Sequence, residues 1–144
     1  MAQKGLKMDI IIPEKFVYET KLDIHIAYIN YGDHLGNDSF VVLLHEARIR
    51  FLNSLGYTER NLGGCGLIVK DLCIHYKKQV FHGDCLTVKI GINTLSKASV
   101  ELVYVGQNRE GQNVFEATTT IVFFDYEQKK IMKTPSFFNE LLIK

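Results

Sequence analysis

Asp33, His34 and Glu46 are the side chains of this sequence best suited to acid–base chemistry. A carboxylate can take a proton from water as a general base, and a histidine can position that water, orient a carboxylate or hold a loop by hydrogen bonds. Asp33 could equally be a solvated loop residue or a counter-charge at a helix start. Glu46 is expected on or beside the buried side of a helix, where desolvation would raise its pKa toward the range of a general base. Its alternative role is a structural ion pair with Arg48, Arg50 or a neighbouring strand.

The backbone amides of Leu35, Gly36 and Asn37 follow at the predicted start of that helix. Free amides and the helix dipole both favour negative charge on a nearby carbonyl oxygen, so these three residues are candidate oxyanion donors and substrate-binding residues. Gly36 would let a substrate approach the backbone closely, or it simply permits a tight turn. The side chains of Asn30 and Asn37 can hydrogen-bond a carbonyl or a water. Asn30 offers binding only, because an amide cannot act as a nucleophile or base.

Hydrophobic periodicity places these residues between a strand and a long helix. Apolar residues alternate with other residues from 16 to 28, which predicts a strand with one buried face. After a segment rich in turn formers, apolar residues recur at spacings of three and four from Phe40 to Leu55, with Arg48 mostly outside the stripe, and Gly56 supplies a stop. The pattern predicts one helix of about eighteen residues, roughly 27 Å long.

Strands fill most of the remaining chain. Four segments rich in Val, Ile, Thr, Tyr and Phe are separated by turn residues: 67–80, 85–95, 99–107 and 114–126. Short connections between long strands predict an antiparallel meander, and residues 136–143 form a short closing helix or a docked tail. One helix buries its apolar stripe most economically when the twisted sheet curls around it. The predicted fold class is α+β, in the order β-α-β-β-β-β, as a single domain over residues 1–144.

This order, a long central helix wrapped by a curved antiparallel sheet, resembles the hotdog fold. The 4-hydroxybenzoyl-CoA thioesterase-like branch of that fold commonly carries D-x-x-G-H-V-N-N at the loop entering the helix and E-A-R about one helix length later. Residues 30–37 (NYGDHLGN) align with the first motif without a gap, and residues 46–48 (EAR) begin twelve residues after His34, as in the family pattern. Residues 81–86 (FHGDCL) also resemble the family's G-D-x-L turn. The resemblance implies a metal-free hydrolase of acyl-CoA or acyl-carrier-protein thioesters, with coenzyme A or the carrier present only as part of the substrate.

Asn30 departs from the family pattern, because it stands where the family usually has its catalytic Asp. Three functions are therefore considered. The first is a thioester hydrolase in which Asp33 or Glu46 activates water near His34. The second is a non-catalytic protein that binds acyl groups or small ligands. The third is a hotdog hydratase or dehydratase using His34 with an acid, which is weaker because the histidine and glutamate contexts of those families are not reproduced.

Charge and cysteine content exclude other classes. Seventeen Lys and Arg against sixteen Asp and Glu give a net charge of +1, which provides no field to attract a nucleic acid or an anionic membrane. Apolar residues 10–12 end at Pro13, too short for a signal peptide or a membrane insertion. Cys65, Cys73 and Cys85 match neither a zinc motif nor a disulfide framework. We therefore expect a cytoplasmic protein with reduced thiols and no bound metal.

The predicted sheet would leave edge strands exposed, and soluble proteins either protect such edges or pair them with another copy. Hotdog proteins typically pair edge to edge, with two active sites at the subunit interface. The resemblance therefore implies a homodimer or a dimer of dimers.

Overall fold

The computed structural model describes residues 9–143. The predicted absence of a leader rests partly on residues 1–8, which lie outside the described residues. The elements, in chain order, are β1 (Tyr18–Asp23), a 3-10 helix (Ile26–Tyr28), α1 (Asn37–Ser54), β2 (Gly66–Tyr76), β3 (Cys85–Leu95), β4 (Ser99–Gln107), β5 (Asn113–Asp125), β6 (Lys130–Met132) and α2 (Phe137–Ile143).

The strands form one antiparallel sheet in the order β1-β3-β4-β5-β2, with β6 beside the end of β5. The predicted meander therefore holds for β3, β4 and β5 but is wrong for β2, which pairs with β5 instead of β3. The reason is the connection over residues 77–84, which leaves the sheet and crosses the helix entry, where the Val80 carbonyl accepts a hydrogen bond from the Leu35 amide (2.7 Å). β1 and β2 consequently form the two edges of the sheet. The α+β hotdog architecture itself is confirmed.

Helix α1 has the predicted length of 18 residues and packs its apolar stripe into the core. It is followed by Gly56, whose φ of +85° is the left-handed conformation that favours glycine after a helix. The expectation for Arg48 was wrong, because this residue is buried with the apolar stripe. Arg48 lies one turn after Leu44 and so shares its face. The buried members of the stripe are Phe40, Leu43, Leu44, Ala47, Phe51 and Leu52.

Near the chain ends, the structure differs from the prediction in two places and decides between two predicted alternatives in a third. The first strand stops at Asp23 instead of residue 28, because the Ile24 amide pairs with the carbonyl of Asp84 and the chain then turns into the 3-10 helix. The short strand β6 was not predicted. Of the two alternatives for residues 136–143, the short helix is the one formed, and Phe138 anchors it in the core against Phe123, with ring centroids 5.6 Å apart.

Within residues 9–143, no helix is both long enough and apolar enough to cross a membrane.

Candidate active site

The segment that enters α1 is a tight turn closed by its own side chains. The Asn30 amide donates to the His34 carbonyl (3.0 Å), the Asp33 amide donates to the Asn30 carbonyl (3.1 Å), and Asn30 Oδ1 accepts from the Gly32 amide (2.8 Å). Asp33 sits at φ +67°, in the left-handed region, which aspartate tolerates better than most residues because its short side chain can hydrogen-bond locally. This backbone conformation accounts for the glycine that the family motif has at the same position. The Asp33 carboxylate is exposed to solvent.

The helix start offers one free amide, not the three predicted. The Leu35 amide already donates to Val80, and the Gly36 amide donates to the Tyr28 carbonyl (3.2 Å), so neither is available to an oxyanion in this conformation. The Asn37 amide has no acceptor among the described residues. Of the three predicted donors, Asn37 is therefore the one whose amide is free in this structure, because tertiary hydrogen bonds use the other two.

Gly36 is the N-cap residue of α1, with ordinary extended backbone (φ −69°, ψ 150°). A turn that only glycine could form is therefore not required here. A Cβ at this position would lie 2.8 Å from Asp38 Oδ1, at the end of a movable side chain, and 3.7 Å from the Asn30 Cβ. Gly36 is buried between these neighbours and does not itself line the cleft beside the helix start.

An apolar cleft of about 250 Å³ opens beside the free Asn37 amide. Phe40 and Tyr76 contribute aromatic walls in edge-to-face contact, 4.9 Å between ring centroids. The Tyr76 hydroxyl donates to the Asn37 carbonyl (3.1 Å), which joins the end of β2 to the helix start. Partial burial, and then the nearby Asp38 carboxylate, raise the pKa of Tyr76, so this hydroxyl remains a proton donor at neutral pH. The lining residues are His34, Leu35, Asn37, Phe40, Tyr76, Lys77, Lys78 and Gln79.

His34 lines this cleft and is half-buried. Its Nδ1–H donates to the Leu35 carbonyl (3.1 Å), since a carbonyl oxygen can only accept. In the neutral ring this bond leaves the lone pair on Nε2, which can then accept a proton or hold a water molecule. Three predicted site residues, His34, Leu35 and Asn37, thus line this cleft. His34 can supply an acceptor and Asn37 a donor, whereas the Leu35 amide is already bonded to Val80.

Glu46 lies elsewhere, and the expectation that it would be buried was wrong. Its side chain is 48% exposed and accepts a hydrogen bond from Arg50 Nε (2.6 Å), so desolvation of the carboxylate is small. Arg50 in turn reaches β1, where its Nη1 donates to Thr20 Oγ1 (2.9 Å) and to the Lys21 carbonyl (3.0 Å). The ion-pair alternative from the sequence is therefore the arrangement found, with Arg50 as the partner. Glu46 faces a separate polar cleft of about 190 Å³.

Sequence reasoning missed a buried polar network between the helix and the sheet. The guanidinium of Arg48 donates to Glu59 and to the Tyr104 hydroxyl (3.3 Å), and that hydroxyl is also 2.9 Å from Thr119 Oγ1. His45 Nε2 lies 2.9 Å from the other oxygen of Glu59. In the sequence, only the position of Arg48, four residues after Leu44 of the apolar stripe, could have indicated this network. Glu59 comes from a loop with no distinctive pattern.

The pKa values in this network reflect two opposing effects. Burial alone would raise the pKa of Glu59, but the hydrogen bonds and charge of Arg48, followed by those of His45, lower it overall. Burial alone would lower the pKa of Arg48, but Tyr104 and Glu59 raise it overall. The pKa of the fully buried Tyr104 is raised mainly by desolvation, despite the opposing effect of Arg48. Arg48 and Glu59 are thus both charged at neutral pH.

No cluster of three or more His, Cys, Asp or Glu side chains that could hold a metal is found in the described part of the chain. The three cysteines are free. Burial, followed by the Asp125 carboxylate, raises the pKa of the Cys65 thiol, which makes it a poor nucleophile.

Residues 24–142 match the family described as the thioesterase-like superfamily. The chain belongs to this family. It is 22% identical over 115 residues to the protein YsmA of Bacillus subtilis (strain 168), an alignment that covers 80% of this chain and 78% of YsmA.

Solved structures share the fold. Slr0204 from Synechocystis, a 1,4-dihydroxy-2-naphthoyl-CoA thioesterase, superposes with a TM-score of 0.78 at 19% identity, covering 88% of this chain and 96% of Slr0204. The SAV2348 protein from Staphylococcus aureus, solved in complex with CoA, gives a TM-score of 0.79 at 14% identity, covering 94% of this chain and 86% of SAV2348.

Proposed function

We propose that this protein hydrolyses acyl-CoA thioesters. The observation that carries the proposal is the apolar cleft in which the free Asn37 amide and the His34 ring lie together at the start of α1. Membership of the thioesterase-like superfamily supports the reaction type. An acyl group would occupy the cleft while the Asn37 amide, aided by the helix dipole, donates to the thioester carbonyl oxygen.

In the proposed reaction, water attacks the thioester carbonyl carbon. His34 Nε2 holds the water, and the Asp33 carboxylate, which precedes His34 in the chain, takes the proton of that water as the general base. A carbon–oxygen bond forms, and the tetrahedral oxyanion is held by the Asn37 amide. The carbon–sulfur bond then breaks, the leaving thiolate takes back the proton held by Asp33, and the carboxylic acid product releases its own proton to solvent and leaves as its anion. Water is the only co-reactant, and no metal or other cofactor is proposed.

The shape of the surface favours a substrate with an apolar head and a long polar arm. The apolar cleft shares two lining residues, Lys78 and Gln79, with a second cleft of about 370 Å³ that is mainly polar. Lys77 lies 3.9 Å from Glu116, whereas Lys78 has no carboxylate partner within 4.0 Å among the described residues. Arg109 also lines the second cleft, so Lys78 and Arg109 are the cations we propose for the phosphates of coenzyme A. The pantetheine arm of an acyl-carrier protein would lie along the same two clefts.

We further propose a homodimer that pairs through the β2 edge. Arg50 covers a backbone carbonyl of the opposite edge strand, β1, as described above. β2 has no outer strand beside it among the described residues, and its Val69 and Leu72 are about two-fifths exposed, as is the nearby helix residue Val41. Pairing the β2 edges of two copies would bury these apolar side chains. A dimer of dimers would form by association of two such dimers.

A thiol-release assay over acetyl-, butyryl-, benzoyl-, decanoyl- and palmitoyl-CoA tests the proposal. Hydrolysis of at least one substrate, lowered about tenfold or more in the His34→Gln variant, is expected because His34 holds the attacking water. The absence of hydrolysis with every CoA and carrier-linked substrate would contradict it. Saturable binding of acyl-CoA in that case would favour the second candidate, a non-catalytic ligand-binding protein, for which the use of Asn30 in closing its own turn is the supporting observation.

The proposal also includes a single domain over residues 1–144 and a cytoplasmic location, where the three free thiols would stay reduced.

A further inference from the structure

We propose that this cleft accepts only compact acyl groups, either a single aromatic ring or a short chain, and that the Phe40 and Tyr76 rings set the limit. The inference rests on the proposed function, since it concerns the acyl group that the same site would take. The inference follows from the packing of Phe40 and Tyr76, which line the cleft, and of Phe115 and Gly106, which lie behind Phe40.

Phe40 is wedged between two other rings. Its ring centroid lies 4.9 Å from that of Tyr76 with an interplanar angle of 67°, and 5.6 Å from that of Phe115 with an angle of 76°. Edge-to-face pairs at these separations are favourable beyond the apolar area they bury. Phe40 is only 4% exposed, so the ring cannot swing aside without breaking both contacts.

The ring behind Phe40 has no room to retreat. Phe115 is completely buried and lies in a row across three strands, paired with Tyr76 on one side and with Gly106 on the other. A Cβ at Gly106 would come within 2.1 Å of the Phe115 ring, which shows that the ring occupies the space above this glycine. Because protein interiors are close-packed, the floor made by Phe40 is fixed from behind.

The proposed position of the thioester carbonyl is also close to this floor. Asn37 and Phe40 are three residues apart on α1, a rise of roughly 4.5 Å. The Tyr76 hydroxyl, bonded to the Asn37 carbonyl, keeps the wall at this spacing. An acyl chain held by its carbonyl at Asn37 therefore meets an aromatic ring within about one helical turn.

The volume of the cleft agrees with this spacing. A cavity of about 150 Å³ is enough for benzene, and pockets for drug-sized ligands begin at about 300 Å³. The cleft measures about 250 Å³, which lies between these two values. The cleft itself suits one ring or a chain of a few carbons, and a long fatty acyl chain would have to extend beyond it.

The experiment compares kcat/KM for benzoyl-, butyryl- and decanoyl-CoA in the wild type and in Phe40→Leu. An extra methylene that fits poorly in an apolar pocket changes selectivity by about 10–200-fold. The wild type is therefore expected to prefer benzoyl- or butyryl-CoA over decanoyl-CoA by about tenfold or more. Phe40→Leu is expected to raise the decanoyl/benzoyl ratio by a similar factor. The matched control is Phe138→Leu, which truncates another buried ring that does not line the cleft.

A second pair of variants guards against poor folding of Phe40→Leu. Tyr76→Ala should widen the cleft and raise the decanoyl/benzoyl ratio, whereas Tyr76→Phe loses only the hydroxyl contact, keeps the ring beside Phe40 and should raise the ratio by less than Tyr76→Ala. The size limit is overturned if the wild type hydrolyses decanoyl-CoA as efficiently as benzoyl-CoA, or if Phe40→Leu and Phe138→Leu change the ratio equally.

Failure of the hydrolase proposal would be recognised separately. If the wild type releases no thiol from any substrate, calorimetric binding of the thioethers S-benzyl-CoA and S-decyl-CoA still tests the size limit. Tighter binding of the benzyl compound, reversed in Phe40→Leu, would support the limit for a binding protein. Equal binding of both compounds by the wild type would overturn it.

Discussion

Glu59→Gln should cost the protein a large part of its stability, because it leaves the buried Arg48 guanidinium without a negative partner. The Arg48 side chain is only 9% exposed, and its remaining partner would be the neutral Tyr104 hydroxyl. Removing one member of a buried pair typically costs about 3–5 kcal/mol. Glu59 itself is 23% exposed, and the glutamine oxygen can still accept a hydrogen bond, so we expect the lower end, about 3 kcal/mol. In a chain of this size that corresponds to a fall in Tm of roughly 6–12 °C.

Urea unfolding at pH 7 measures the difference in the free energy of unfolding between wild type and Glu59→Gln. The slope of that free energy against urea concentration should be unchanged, which would show that the folded and unfolded states are otherwise the same. Glu46→Gln is the matched control, because it breaks an arginine–carboxylate pair of the same type at the surface, where both side chains are more than two-fifths exposed. Exposed pairs of this kind contribute only about 0.3–0.5 kcal/mol. Equal destabilisation by the two variants would refute the assignment of the Arg48–Glu59 pair as a buried one.

The same difference should depend on pH in a defined direction. The pKa of Glu59 is lowered in the folded protein from its ordinary value of 4.5, so its contribution is fully present above that value. It is lost as the pH falls through the lower pKa of the folded state. The gap in stability between wild type and Glu59→Gln should therefore shrink on acidification below pH 4.5. A gap that stays constant down to acid unfolding would contradict this explanation.

Three further predictions concern the site and the assembly. Asp33→Asn should lower kcat on the best thioester substrate by about 10²-fold or more, whereas Glu46→Gln should retain it because Glu46 faces a different cleft; the reverse result would assign the base to Glu46. Gly36→Ala should lower kcat/KM about tenfold, because the new methyl group stands next to the proposed donor at Asn37 and misplaces it. The Tm should move by less than about 4 °C, because Asp38 can turn away from that methyl group; a large loss of Tm would indicate a structural glycine instead. Leu72→Lys on the β2 edge should shift the dimer to monomer in sedimentation velocity, and an unchanged dimer would exclude this edge as the interface.

Local periodicity was sufficient for the elements whose pattern is regular along the chain. The 18 residues of α1 follow from apolar spacings of three and four before Gly56, and β3 and β4 begin and end at the predicted residues. β2 was predicted to continue to residue 80 and ends at Tyr76. Residues 77–80 are compatible with a strand by composition, but the Lys77 and Lys78 amides both donate to the Val114 carbonyl, where the chain leaves the regular ladder. A distant acceptor of this kind is not visible in a local pattern.

Some features of the candidate site were likewise predictable from the sequence, and others were not. The motif at residues 30–37 predicted a site at the helix start, and His34 and Asn37 of that motif line one cleft. The pattern could not tell which of the three amides would be free, because their acceptors, Val80 and Tyr28, come from other parts of the fold. It also could not separate Glu46 from the cleft. Glu46 and Arg50 are one turn apart on the helix surface, but only the position of β1 gives Arg50 its additional acceptors and directs the pair toward that strand.

By itself, the sequence determined the helix, most of the strands, the α+β class and the family resemblance, because each depends on residue types at short, regular spacings. Only the tertiary structure decided the order of strands, the burial of Arg48 with Glu59 and Tyr104, and the single free amide beside His34. Those features depend on contacts between segments far apart in the chain, where hydrogen-bond partners and solvent exclusion are set by packing. The physical reason is that an amide or a charge has no fixed chemical role until the fold determines what it can bond to and how much water surrounds it.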